Sequence, residues 1–307
     1  MDSITTHSSN PPFATATVRA PGVCGELAQG LLGSSYFLVT CPVDFFARVR
    51  VDLYQEPVGI NVPPHCSKTA AAVQRTLEYL GYAHLGARIA ISNPIPRSKG
   101  FGSSSADLSA AIAATGLALG IELTPAQIGQ LALKVEPTDG VMFPGIIMFD
   151  HRNGSVAEQL GPPPPVEIVA LDFGGEVDTL AFNQVDRSDQ WRSVQWETDE
   201  ALTLVREGLR LGDPRALGRG ATRSALAAQQ VLFKPRLPEV IAFAQAVGAV
   251  GVNVAHSGTA IGVLLDATQR RGKSTFRQAS QTFPEAEAVY HLRLLGGGVQ
   301  QVQGSGA

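Results

Sequence analysis

The segment Asn93-Pro-Ile-Pro-Arg-Ser-Lys-Gly-Phe-Gly-Ser-Ser-Ser-Ala-Asp107 decides how this chain is read. A proline-broken loop runs into two glycines, three serines and an alanine-rich helix. Gly100 and Gly102 let the backbone bend and approach a ligand without a Cβ in the way. The helix opening near Ser103 points its free N–H groups and the positive end of its dipole at any anion seated there. The spacing predicts a phosphate cradle, and the anion it suits best is that of a nucleotide. An N-capped helix after a flexible loop would need only one serine.

Two familiar phosphate loops fail on spacing. A Walker A loop needs Lys-Ser/Thr after its second glycine, whereas Gly102 is followed by Ser103-Ser104 and the nearby lysine, Lys99, lies upstream. The dinucleotide fingerprint needs a glycine or alanine three residues after the second glycine, where this chain has Ser105.

Outward from the loop, alternation of Ala47, Val49, Val51 and Leu53 with Arg48, Arg50 and Asp52 predicts a half-buried strand, and Ile89 and Ile91 mark another over 87–92. Ala70, Val73, Leu77 and Leu80 share one helical face ahead of Gly81, which predicts a helix over 67–80 with a glycine stop. Thr124-Pro125-Ala126-Gln127 combines a cap, a proline in the first turn and a capping-box glutamine, opening a helix over about 125–135. The apolar run 108–119 is too short to cross a bilayer and predicts a buried helix.

Pro162–Pro165 precede a strand-like run over 166–171, which places a domain boundary near residue 161 and divides the chain into 14–161 and 162–307. The second half predicts helices over about 199–211, from Asp213-Pro214, and over 238–247. Strands over 252–255 and 260–265 flank the turn His256-Ser-Gly-Thr259, and 290–295 suggests one more. The first 13 residues read as a loose arm without the pattern of a signal peptide, and residues 296–307, rich in Gly and Gln, read as mobile.

Composition narrows the function. The 307 residues are 44% hydrophobic and 17% charged, enough for two compact domains with little left for disordered tails. A net charge of −3 gives no footprint for nucleic acid or an anionic membrane, so an anionic ligand needs a local site. Cys24, Cys41 and Cys66 form no CxxC pair, and no histidine spacing points to zinc; a reducing cytoplasm fits. A homo-oligomer is compatible with the sequence and not required by it.

Two further segments carry chemistry. Lys134-Val-Glu-Pro-Thr-Asp-Gly140 sets Glu136 and Asp139 within one turn, as phosphoryl transfer uses a carboxylate for Mg²⁺ and another to orient or deprotonate a hydroxyl. It reads equally as a helix stop at Pro137 followed by an Asp-Gly turn. Pro21-Gly-Val-Cys-Gly-Glu-Leu-Ala-Gln-Gly30 reads as a shaped loop in which Glu26 or Gln29 takes a donor group of a substrate. Cys24 has no basic neighbour to make it a nucleophile and reads as a packing residue, and His256 beside Ser257 is poorly arranged for a hydrolase pair.

The glycine-rich segment 21–30, the phosphate loop and the late turn Ala255-His-Ser-Gly-Thr259, in that order, resemble the GHMP small-molecule kinases over about residues 18–265, and the details of 21–30, 136–140 and 255–259 are most similar to the L-threonine kinase branch that serves the aminopropanol arm of cobalamin synthesis. The resemblance implies an α+β fold of two lobes, S5-like and ferredoxin-like, with ATP and Mg²⁺ as cofactors and a small hydroxy amino acid, L-threonine, as acceptor. Homoserine or another small alcohol is the alternative acceptor, and a nucleotide-binding regulator without turnover the alternative class. Carried onto this chain, Ser104 and Glu136 would hold the metal and Asp139 would be the catalytic base. Lys99, Gly100, Phe101, Gly102, Ser103, Ser104 and Ser105 would bind the nucleotide. The N-terminal segment, with Cys24, Gly25, Glu26 and Gln29, and the late turn at Gly258 and Thr259 would meet the substrate. Glu136 and Asp139 are only three residues apart, shorter than the roughly ten of several branches of that family.

Overall fold

The computed structural model describes residues 11–56, 58–175 and 184–303. Most of the expected arm at the N-terminus, residues 1–10, lies outside them. The alternating run around Val49 is the second half of a long strand. β1 (Ala14–Leu32) and β2 (Ser35–Tyr54) form an antiparallel pair from Ala14↔Leu53 to Leu32↔Ser35, with irregular register between Pro21 and Ala28. β3 (Ile60–Asn61), α1 (Ser67–Leu80), β4 (Gly86–Ser92), α2 (Ser103–Ala118) and α3 (Pro125–Leu133) follow, then the hairpin β5 (Ile146–Phe149) and β6 (Ala157–Gly161). After the prolines come β7 (Val166–Asp172), α4 (Ser188–Ser193), α5 (Gln195–Leu211), α6 (Pro214–Ala228), α7 (Leu237–Ala246), β8 (Gly251–Val254), β9 (Ile261–Asp266), α8 (Gly272–Thr282), β10 (Ala288–Arg293) and β11 (Gln300–Gln301).

The strands make one sheet in the order β10-β7-β9-β8-β1-β2-β4-β3, antiparallel at every junction except β3–β4. β1 is therefore the hinge of the architecture. It pairs with β2 along its length and with β8 at Glu26↔Val254, so residues near Glu26 sit where the two halves of the α+β fold meet. Leu108, Ile112 and their alanine neighbours on α2 are fully buried against this sheet, as the apolar run required. Each such leucine or isoleucine contributes about 1.5–3 kcal/mol by leaving water. No helix among the described residues is long and apolar enough to cross a membrane.

Helix limits follow local chemistry. α1 ends where Gly81 turns left-handed at φ 84°, and α3 carries the reciprocal Thr124–Gln127 capping box. Two stretches differ in kind from the sequence expectation. The stretch 21–30 is part of β1 rather than a loop: it is buried on both faces, which removes the apolar–polar alternation that marks a half-buried strand. The C-terminal stretch is not wholly loose, because β11 pairs with Val18 and Arg19 of β1 and Val302 N donates to Thr17 O at 2.8 Å.

Candidate active site

The loop expected to cradle phosphate is fastened to β1 by its own backbone. Val23 N donates to Phe101 O at 2.9 Å, and Gly25 N to Gly100 O at 3.3 Å. The Phe101 ring is buried between Phe45 and Tyr290, anchoring the loop to the core. Gly102 sits at φ 66° as the residue before α2, and a Cβ there would come within 3.0 Å of both Asp139 Oδ2 and Val23. A side chain at this position would be strained and would crowd a carboxylate of the site. No side chain among the described residues caps α2, and Ser103, Ser104 and Ser105 of its first turn line the neighbouring cavity.

That cavity has a volume of about 660 Å³ and runs between the loop and β1. Asn93, on the loop's upstream side, braces its wall: Nδ2 donates to Ser103 O at 3.2 Å, to Ser103 Oγ at 3.1 Å and to Asp107 Oδ1 at 2.8 Å. Burial pushes the Asp107 carboxyl up to about 6, against the opposing pull of Asn93 and of Arg97, 4.0 Å away.

Consecutive serines of α2 hold the two carboxylates of the 134–140 segment. Ser104 Oγ hydrogen-bonds Glu136 Oε1, and Lys68 Nζ from the first turn of α1 pairs with Glu136 Oε2. Ser105 Oγ donates to Asp139 Oδ2 at 3.0 Å and accepts from Asp139 N at 3.0 Å. The short spacing between Glu136 and Asp139 thus serves two adjacent serines of one helical turn. Asp139 is pushed up to about 6, chiefly by burial and further by Glu136, while the Ser105 hydroxyl pulls it down.

Across the cavity, Glu26 is 3% exposed, and its Oε2 has no hydrogen-bond partner among the described residues. Burial raises its carboxyl well above the usual range and the Asp139 charge adds to this, so the carboxyl favours its protonated form until a cation arrives to pair with it. Gly25 is required beside it: at φ 58° its absent Cβ leaves room for the Val254 backbone of β8. Leu38, His151 and His256 complete this end. His256 Nδ1 lies 2.7 Å from Gln29 Oε1, and its ring meets that of His151 edge-on at 4.8 Å. Burial holds His256 well below its ordinary value, reinforced by the positive charges of His151, Arg152 and Lys234.

Several sequence-nominated residues lie elsewhere. The Lys99 ammonium turns to Glu287 at 2.9 Å and Asp172 at 3.7 Å, and does not line the cavity. Cys24 is buried outside the lining, and burial pushes its thiol up to about 12, which keeps it protonated. Gly258 packs on Gly100, and Thr259 donates through Oγ1 to Asp172 at 3.2 Å, so this turn supports the loop from behind. Lys68, Asn93 and His151 are the functional candidates that motif reading missed. Only Asn93 carried a local signal, being the polar residue immediately before the loop's first proline.

Residues 66–144 match the GHMP kinases N terminal domain, and residues 205–284 match GHMP kinases C terminal. An L-threonine kinase of Salmonella typhimurium is 32% identical over 93% of this chain and 95% of its own length. The chain belongs to the GHMP kinases. A second L-threonine kinase, of Citrobacter freundii, is 31% identical over 93% of this chain and 99% of its own. In fold, this GHMP kinase superposes on the homoserine kinase of Cytophaga hutchinsonii with a TM-score of 0.71 at 18% identity, covering 96% of this chain and 99% of the other. The α+β expectation of two GHMP lobes holds, and the protein is a small-molecule kinase.

The residues present also fit a magnesium ion. Ser104 and Glu136 offer one hydroxyl and one carboxylate side by side on the cavity wall, and among the described residues no group of three or more His, Cys, Asp or Glu forms a complete cage. Mg²⁺ takes few protein ligands and draws the remainder from phosphates and water.

Proposed function

We propose that this GHMP kinase transfers the γ-phosphate of ATP to the side-chain hydroxyl of L-threonine, giving O-phospho-L-threonine and ADP. The observation that carries the proposal is the convergence of the Ser104–Glu136 pair, the Ser105–Asp139 pair and Glu26 on one cavity. Threonine as acceptor is supported by the two near-full-length relatives that bear that activity in their names. By the motif resemblance, the product serves the aminopropanol arm of cobalamin synthesis in a reducing cytoplasm.

The amides of Ser103, Ser104 and Ser105 would bind the β- and γ-phosphates, with Gly100 and Gly102 allowing their close approach. Ser104 and Glu136 would hold the Mg²⁺, which neutralises the phosphate charge when bound. Lys68 would then exchange its contact with Glu136 for the phosphates. Asp139, fixed by Ser105, accepts the threonine hydroxyl proton as the oxygen bonds to the γ-phosphorus and the bridging P–O bond to ADP breaks. Glu26 pairs with the substrate ammonium. Ser104 and Ser105 already hold the carboxylates of Glu136 and Asp139, which limits the reorganisation left for the chemical step.

Turnover with Mg-ATP and a panel of L-threonine, L-serine, L-homoserine and D-threonine tests the acceptor. The highest kcat/KM is expected for L-threonine. A clear preference for L-homoserine would keep the kinase and replace the acceptor.

A further inference from the structure

Lys234, in the connection between α6 and α7, is only 5% exposed and has no carboxylate within ion-pair distance among the described residues. Burying an ammonium without a counter-charge is costly, and a lysine retained in such a place has something to hold. Its Nζ donates to Gly258 O at 3.0 Å. Its backbone is gripped in turn by one side chain. Gln229 Oε1 accepts from Lys234 N at 2.7 Å, and Gln229 Nε2 donates to Lys234 O at 3.0 Å.

Gly258 is the apex of the turn between β8 and β9, and that turn is the support of the phosphate loop. Thr259 N and Ala260 N both donate to Lys99 O, at 3.1 and 3.0 Å. A Cβ on Gly258 would overlap the backbone of Gly100, and one on Gly100 would overlap Ala255 Cβ. The contact is therefore backbone on backbone, with no slack to take up. A chain of direct contacts runs from Gln229 through Lys234 and Gly258 to residues 99–100, where the loop bends toward the cavity.

We propose that Lys234 is a positioning residue for nucleotide binding, which holds the 256–259 turn against the phosphate loop and places a buried positive charge behind it. The proposal rests on the nucleotide occupying that loop, as set out under Proposed function. Burial pushes the Lys234 ammonium down to about 8, in keeping with an uncompensated charge at this position. Removing the side chain leaves the Gly258 carbonyl without its donor and frees the turn to shift; a hydrogen bond to a charged group commonly matters by about tenfold or more in an equilibrium constant.

The test is the dissociation constant of Mg-ATP, and separately of adenosine, for the wild-type full chain, Lys234→Met and Gln229→Met, measured by calorimetry without acceptor. Alongside it, kcat and both KM values are measured with L-threonine. The expected result for Lys234→Met is Mg-ATP binding weakened by about tenfold, adenosine binding changed by less than about twofold, and kcat at saturating ATP kept within about threefold. Gln229→Met, which leaves the lysine in place but releases its backbone, should shift Mg-ATP in the same direction by a smaller factor. It decides the matter if Lys234→Met does not fold. Wild-type binding of Mg-ATP with unchanged affinity in both variants overturns the inference, as does an equal loss for Mg-ATP and adenosine. A wild-type protein that binds neither ligand overturns instead the nucleotide assignment on which it rests.

Discussion

Ser105 and Asp139 are joined by a reciprocal pair of hydrogen bonds: the serine hydroxyl donates to Asp139 Oδ2 at 3.0 Å and accepts from the Asp139 amide at 3.0 Å. One small side chain thereby fixes both the backbone and the carboxylate of the proposed base. It also opposes the burial that pushes this carboxyl up to about 6. Ser105→Ala should lower kcat by about tenfold, since misaligning a proton acceptor forfeits much of its contribution. It should also move the acid limb of the rate profile to higher pH. An unchanged limb in steady-state profiles would contradict the electrostatic half of this account.

As the proposed base, the Asp139 carboxyl should set the pH dependence of the wild type. A base must be ionised, and with its value at about 6 the ionised fraction falls as pH drops through that region. kcat/KM should lose about tenfold per pH unit below about 5.5 and level off above 7. A profile flat down to pH 5 would exclude Asp139 as the group that takes the proton.

The same shift makes a prediction about stability. A buried carboxyl raised in the folded state binds its proton more tightly there than in the unfolded chain. Folding therefore gains stability as pH falls from about 6 toward 4, and above 6 the buried charge is a cost. Asp139→Asn removes that cost and should raise Tm at pH 7.5, by at most ~3 kcal/mol in stability, with the gain vanishing near pH 4. A lower Tm for this variant at pH 7.5 would mean that the carboxylate is compensated by its surroundings.

Glu26 is proposed to meet the ammonium group of the acceptor. Glu26→Gln keeps the shape and removes the charge, so KM for L-threonine should rise by about 10- to 100-fold, the loss of one charge-assisted contact, with Mg-ATP affinity unchanged. Equal weakening of both ligands would indicate general damage where β1 meets β8.

Ser104 and Glu136 form the proposed metal pair. In Ser104→Ala the Mg²⁺ concentration for half-maximal activity should rise by about tenfold at fixed ATP, while KM for L-threonine stays within about twofold. A magnesium dependence identical to wild type would remove Ser104 from the metal site.

The glycine bend before α2, the limits of α1 and the start of α3 were legible in sequence because each depends on neighbours in the chain: a glycine that permits left-handed φ, a Gly81 stop, a Thr124–Gln127 box. α5 begins at Gln195 rather than near 199 because Val194 precedes it without any side-chain cap, so no residue type announces the start. β1 hid among glycines because burial on both faces erases its alternation. At the site, Glu136 and Asp139 could be nominated from their placement within one turn together with the motif resemblance. Their partners could not: Lys68 reaches Glu136 from 68 positions away, and His151 meets His256 across two halves of the fold. Lys99 shows the opposite failure. Adjacent in sequence to the loop, its ammonium is drawn to Asp172 and Glu287, which only the folding of the C-terminal half brings near.

The most direct test of the central claim is the identity of the product formed from L-threonine and Mg-ATP, read by mass spectrometry and phosphorus NMR for the wild type and Asp139→Asn. O-phospho-L-threonine should form in stoichiometry with ADP, with the rate reduced by at least about a hundredfold in the variant. ADP with no phosphorylated threonine, or equal phosphothreonine from both proteins, would contradict it.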